Sequence, residues 1–189
     1  MPSYLSFARF YDGLMQDACY EKRCDYILKL AERFGHDMGI TLDLACGTGT
    51  LTRLLKKRGV DVFGIDYSME MLSEAMQSAS EEGLDILFLR QKMQSIDLYG
   101  TINTCVCTLD SINHLTKIED VAKTFDRVGL FMDDDGLFIF DVNTVYKHKN
   151  VLADNTFVYE NDSVFCVWQN TPEAVSYTHL RAHETCADL

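Results

Sequence analysis

Basic residues are scarce in this chain. Seventeen Lys and Arg stand against 29 Asp and Glu, for a net charge of −12. That balance disfavours a duplex or polyanionic RNA partner. No apolar run approaches the ~20 residues of a membrane span. The opening Met1-Pro2-Ser3-Tyr4-Leu5-Ser6-Phe7 lacks the basic and long apolar regions of a secretory signal. The seven cysteines are scattered, odd in number and without a C-x-x-C pair. They read as small core hydrophobes in a reducing cytoplasm, and no metal site is expected. Only two prolines occur, and no Pro/Gly/Ser-rich linker interrupts the chain. No domain boundary is therefore visible, and 189 residues are enough for one domain with a sizeable core.

What is present is organised around Thr41-Leu42-Asp43-Leu44-Ala45-Cys46-Gly47-Thr48-Gly49-Thr50. It reads as a buried strand, a glycine turn and the start of a helix. Gly47 and Gly49 carry no Cβ, so the backbone can turn tightly and approach a ligand. Thr50 is expected to cap a helix over Leu51–Lys57, whose Leu51, Leu54 and Leu55 share a face, with Gly59 as its stop. A strand entering a Gly turn at a helix N-terminus is a general nucleotide-binding device.

The rest of the chain alternates strands and helices. Phe7, Phe10, Tyr11 and Leu14 form one apolar stripe, and Tyr20, Cys24, Ile27, Leu28, Ala31 and Phe34 form a second. Strands are predicted at Ile40–Leu44, Val62–Ile65, Ile86–Leu89, Thr104–Leu109 and Leu137–Val142. The last follows an acidic turn, Asp133-Asp134-Asp135-Gly136. Ser68 should cap a helix over Met69–Glu82, with Leu72, Ala75, Met76 and Ala79 inward. Another helix is predicted over Ile118–Phe131, inward through Ile118, Val121, Ala122, Phe125 and Val128. Cys105 and Cys107 fall on one face of the fourth strand. Near-continuous apolar strands alternating with helices predict an α/β fold: a parallel sheet covered by helices on both faces. Past Asn143, Thr156–Glu160 and Val164–Gln169 alternate in hydrophobicity around Asn161-Asp162-Ser163 and read as an antiparallel hairpin.

Two acids mark the carboxyl edge of that sheet, where ligands of such folds sit: Asp43 in the first strand and Asp66 ending the second. An acid ending the second strand suits the hydroxyls of an adenosine ribose. The dinucleotide fingerprint G-x-G-x-x-G fits poorly, because Thr52 stands at the third glycine. A phosphate-cradling G-x-x-x-x-G-K-[ST] is absent.

Taken together, Leu42–Gly49, Gly64-Ile65-Asp66-Tyr67-Ser68-Met69-Glu70-Met71-Leu72, Gln91-Lys92-Met93 and Thr108–Leu115 resemble the successive motifs of class I S-adenosylmethionine-dependent methyltransferases of the small-molecule type. Tyr11-Asp12-Gly13-Leu14-Met15 resembles an N-terminal helix that closes over the cofactor. The resemblance spans roughly Phe10 to Gln169. It implies a three-layer Rossmann-like sheet of five parallel strands with a partial antiparallel hairpin, and S-adenosylmethionine as cofactor. It places Asp43, Ala45, Cys46, Gly47, Thr48 and Gly49 against the cofactor's methionine end. It places Asp66 at the ribose, Gln91 and Met93 beside adenine, and Tyr11, Tyr67, Met71, Leu109 and Asp110 as further cofactor contacts. Gln91 replaces the family's usual acid. Asp110 and His114 are the candidate general bases, with a structural hydrogen bond and an exposed helix-start position as their alternative roles. The region after the fourth strand lacks the Asn/Asp-Pro-Pro-aromatic signature of base-amino methylation, so a small-molecule acceptor is expected. A nicotinamide-dependent oxidoreductase and a non-catalytic cofactor-binding module are the rival readings.

The C-terminal stretch Val175-Ser176-Tyr177-Thr178-His179-Leu180-Arg181-Ala182-His183-Glu184-Thr185 matches a translated transposon-type sequencing adapter. Residues 175–189 are therefore expected to be an artefactual tail. With it goes the zinc-like spacing of His179, His183 and Cys186. Residues 1–174 are expected to be one truncated methyltransferase domain, with N-terminal helices to 36, a cofactor-binding core over 37–143, and 144–174 opening an acceptor-side hairpin.

Overall fold

The computed structural model describes residues 18–153, 155–160, 164–172 and 180–188. The stripe Phe7–Leu14 and Tyr11 with it lie outside the described residues. Two compact units are present, one spanning Ala18–Val142 and a second that takes up the chain from Asn143.

The first unit holds α1 (Tyr20–Arg33), β1 (Ile40–Leu44), α2 (Thr50–Lys57), β2 (Asp61–Asp66), α3 (Met69–Glu81), β3 (Phe88–Arg90), β4 (Ile102–Cys107), α4 (Ile118–Phe131) and β5 (Met132–Phe140). The five strands are parallel, in the order β3-β2-β1-β4-β5. Strand order runs outward from β1 to β3 and then jumps back to β4 beside β1. The carboxyl ends of β1 and β4 thus border the switch point of the sheet.

The interior strands are apolar on both sides because helices cover both. On one face Cys24, Ile27 and Ala31 of α1 and Leu51 and Leu55 of α2 pack on Val62 and Val106. On the other, Leu42, Leu44, Ile65, Cys105 and Cys107 pack with Val128 of α4 and with Ile96 and Ile112. Cys105 and Cys107 do share a face, as their spacing requires. Burying a leucine side chain of this kind contributes roughly 1.5–3 kcal/mol, and Leu42, Leu44 and Leu55 are wholly buried.

Several local expectations shift. Thr50 does not cap α2. Gly49 takes that position with φ 69°, so the chain enters the helix from a left-handed residue and Thr50 is already helical. Ser68 does cap α3, its hydroxyl accepting the Met71 N–H at 3.2 Å. Met76 is exposed, because the inward line of α3 is Leu72, Ala75 and Ala79, and Met76 is turned ~100° past Ala75. In α4 the buried residues are Thr124 and Val128, while Ile118 is exposed. Phe125 is partly exposed and meets the rings of Phe138 and Phe140 at 5.4 and 5.2 Å. Strand β3 begins later than predicted and β4 ends at Cys107, before Leu109. The acidic turn lies inside β5. Ile102 pairs with Met132 and Thr104 with Leu137, so Asp133–Gly136 stands out of register.

The second unit contains a π-helical segment, Lys147–Leu152, and strands β6 (Thr156–Glu160), β7 (Val164–Pro172) and β8 (Leu180–Asp188). The predicted hairpin is β6–β7, pairing Thr156 with Gln169. Strand β8, from the segment that the sequence reading set outside the fold, adds an antiparallel third strand beside β7.

Candidate functional site

The site is built at the ends of β1, β2 and β4. After Leu44 the backbone turns through Ala45 (φ 62°), Gly47 (φ 55°) and Gly49 (φ 69°). The Cys46 N–H donates to Ile65 O at 3.0 Å, and the Gly49 N–H returns to Cys46 O at 2.9 Å. A Cβ built on Gly47 meets nothing within 4 Å, so the turn faces open space where a ligand can approach its backbone. At Gly49 and Gly64 the same test meets the Phe88 ring at 3.0 and 2.7 Å, so these two glycines serve packing between turn, β2 and β3.

Asp66 ties the turn to β2. Its Oδ2 accepts the Gly47 N–H at 2.9 Å and its Oδ1 accepts the Ser68 N–H at 2.8 Å. Both oxygens are thereby oriented, and each keeps a lone pair for a further donor. Asp43 lies below the turn, 3% exposed. Its Oδ2 accepts the Thr52 hydroxyl at 2.6 Å. Burial pushes the Asp43 carboxyl up to about 7, opposed by the Thr52 bond and assisted by the nearby Asp66. Thr52 thus fills the third-glycine position with a hydroxyl that Asp43 uses. The Cys46 thiol is likewise held in its neutral form, chiefly by burial and then by Asp43 and Asp66.

The other candidates are distributed around this centre. Tyr67 is exposed, with Arg90 and Lys92 over its ring at 5.4 and 4.8 Å. Met71 sits half-buried in the first turn of α3. The Gln91 amide is spent on a loop brace: its Nε2 donates to Asp97 O at 3.0 Å and its Oε1 accepts the Asp97 N–H at 2.7 Å. Met93 packs on the core cluster beneath β4. Beyond β4, Leu109 and Asp110 are left-handed, at φ 59° and 50°, and lead into a short 3-10 turn, Ser111–His114. His114 ends that turn in an exposed position.

Three residues that sequence reasoning passed over hold this arrangement. Arg53 is buried at 8% exposure and donates Nη1 to Thr48 O at 2.7 Å and Nη2 to Thr50 Oγ1 at 3.2 Å, clamping the Gly turn from α2. Asp141, just past β5, accepts the N–H groups of Leu109 and Asp110, and Arg23 of α1 donates to it. The available signal for Asp141 was the one that marked Asp66, an acid ending a strand. Arg53 stands across α2 from Leu51 and Leu55, so periodicity offered no signal for it.

The residues fit an adenosyl sulfonium cofactor. A turn open in front of Gly47 admits close approach, and an oriented carboxylate stands at the end of β2 for hydroxyl donors. Asp66 sets a carboxylate at the open side of the turn, which suits a cationic ligand and opposes a pyrophosphate.

Comparison with known proteins agrees. A family model described as a methyltransferase domain matches residues 41–136. A protein of Geobacillus sp. named as a methyltransferase is 32% identical over 183 residues, covering 96% of this chain and 73% of the relative. One of Bacillus subtilis, also so named, is 38% identical over 168 residues, covering 88% of this chain and 66% of the relative. The crystal structure of an S-adenosylmethionine-dependent methyltransferase from Clostridium acetobutylicum superposes with a TM-score of 0.81 at 30% identity, covering 98% of this chain and 80% of that one. The chain belongs to the methyltransferase-domain family, with the fold and the cofactor of the class I S-adenosylmethionine-dependent methyltransferases.

Proposed function

We propose that this site transfers a methyl group from S-adenosylmethionine to a small-molecule acceptor. The observation that carries the reading is Asp66, fixed by Gly47 and Ser68 at the end of β2 beside an open, acid-flanked glycine turn. When bound, the cofactor supplies an activated methyl group, so the protein's work is placement and exclusion of water. Asp66 holds the ribose hydroxyls. Ala45 to Gly49 lie along the methionine portion, with Asp43 and Arg53 fixing the turn from beneath and behind. Tyr67, Met71, Met93 and the Gln91 loop would add further contacts to the cofactor; Tyr11, given the same role by the resemblance, lies outside the described residues. Leu109 and Asp110 stand at the mouth. Asp110 and His114 are the groups placed to accept a proton from an acceptor that arrives protonated.

The net charge of −12 favours a small acceptor over a nucleic acid. Cys19, Cys24, Cys46, Cys105 and Cys107 are free thiols, which suits a reducing cytoplasm. No helix among the described residues is long and apolar enough to cross a membrane. The proposed methyltransferase domain takes in residues 1–174, and β8 pairs beside it on β7. Incubating the chain with S-adenosylmethionine and a panel of small amines, hydroxyl compounds and carboxylic acids, with S-adenosylhomocysteine as readout, tests it. Acceptor-dependent product supports the proposal. Product formed only with a nucleic-acid acceptor contradicts it.

A further inference from the structure

Leu109 and Asp110 are consecutive non-glycine residues at φ 59° and 50°. Left-handed backbone crowds the Cβ of an L-residue, so two such residues in succession persist only where the surroundings hold them. The holding group is one carboxylate. Asp141 accepts the Leu109 N–H on Oδ2 at 3.1 Å and the Asp110 N–H on Oδ1 at 2.6 Å. Successive amides converging on one anion form a concave nest, and here the anion is part of the protein. Asp141 is itself anchored twice. Its N–H donates to Cys107 O at 3.2 Å, and Arg23 Nη1 reaches its Oδ2 at 2.5 Å from α1. Among the described residues Arg23 Nε is buried without a partner, and the guanidinium pairs with Asp141 through Nη1.

We propose that Asp141 is a positioning residue. Backed by Arg23, it locks the left-handed turn after β4 and so presents Leu109 and Asp110 to the site in their binding geometry before a ligand arrives. The turn is then preformed rather than ordered at the cost of binding. This rests on the assignment of Leu109 and Asp110 to the cofactor side of the proposed methyltransferase site. It also links α1 to the mouth through a chain of contacts, α1 to Asp141 to the turn.

The test is a double-mutant cycle read by binding and by hydrogen exchange. Asp141→Asn keeps the shape but removes the charge and one acceptor. It should weaken S-adenosylhomocysteine binding about tenfold, the equivalent of one charge-assisted bond. The Leu109 and Asp110 amides should lose exchange protection. In a background carrying Leu109→Gly and Asp110→Gly, left-handed backbone is no longer strained, and the same Asp141→Asn change should cost less than about threefold. Equal losses in the two backgrounds, or unchanged exchange at the two amides, overturn the proposal. Exchange is read without ligand. A wild-type chain that fails to bind S-adenosylhomocysteine therefore refutes the methyltransferase reading, while the amides still decide this one. Where Asp141→Asn does not fold, Arg23→Met leaves the nest intact and removes its brace. A loss of about threefold with partial deprotection is expected, and wild-type behaviour in both overturns it.

Discussion

Replacing Asp43 by Asn should change the pH dependence of stability in a direction that exposes what burial does to this acid. The Asp43 carboxyl is 3% exposed, and burial raises it from an ordinary 3.8 to about 7. The folded state therefore holds the proton more tightly than the unfolded chain. Its favourable contribution is complete below about pH 4 and is lost as pH rises through about 7. Relative to the protonated state, the folded form carries a penalty of ~2 kcal/mol at pH 5 and ~4 kcal/mol at pH 8.5. Asparagine cannot ionise, and its carbonyl can still accept the Thr52 hydroxyl now at 2.6 Å. Its amide N–H groups have no assigned acceptor there, which costs about 1–3 kcal/mol at every pH. Urea denaturation at pH 5, 7 and 8.5 should find Asp43→Asn close to wild type at pH 5 and about 2 kcal/mol more stable at pH 8.5. A difference that does not move with pH, or that grows as pH falls, would refute the assignment of a carboxyl raised by burial beneath the turn.

Other substitutions probe the same architecture. Asp66→Ala removes the acceptor of the Gly47 and Ser68 N–H groups. By calorimetry it should weaken S-adenosylhomocysteine binding by at least tenfold, in line with the loss of charge-assisted hydrogen bonds of ~1.5–3 kcal/mol. Gly64→Ala places a Cβ 2.7 Å from the Phe88 ring and 2.8 Å from Cys46 Sγ. Overpacking there should cost about 1–3 kcal/mol in denaturant unfolding, and an unchanged midpoint would show that β2 and β3 are less tightly packed than described. Ser68→Ala deletes the cap of α3 and should cost about 1 kcal/mol, with Ser68→Asp retaining most of the stability.

Much of the cofactor edge was legible because its determinants are local. The turn after β1 declares itself by Gly47 and Gly49, and Asp66 by ending an apolar run. Ser68 declares itself by standing one residue before a helical stripe. Strand β1 and helix α4 fall within their predicted bounds for the same reason. What stayed hidden depends on distant partners. Asp141 acts on residues 31 and 32 positions earlier in the chain, through a turn whose left-handed backbone no glycine announces. Arg53 lies on a face of α2 that periodicity does not mark, and its role appears only when the carbonyl of Thr48 folds back over it. The Gln91 amide closes its loop onto Asp97, a brace that its position in the chain does not announce. Met76 and Ile118 were placed inward by counting apolar residues, which cannot fix the rotation of a helix to within one residue.

The most direct test of the central claim is titration of the chain with S-adenosylmethionine, S-adenosylhomocysteine and NAD, followed by calorimetry and by the shift in thermal unfolding. The glycine turn with its two carboxylates predicts saturable binding and thermal stabilisation by both adenosyl ligands and no response to NAD. Tight NAD binding without a response to S-adenosylmethionine or S-adenosylhomocysteine would contradict it.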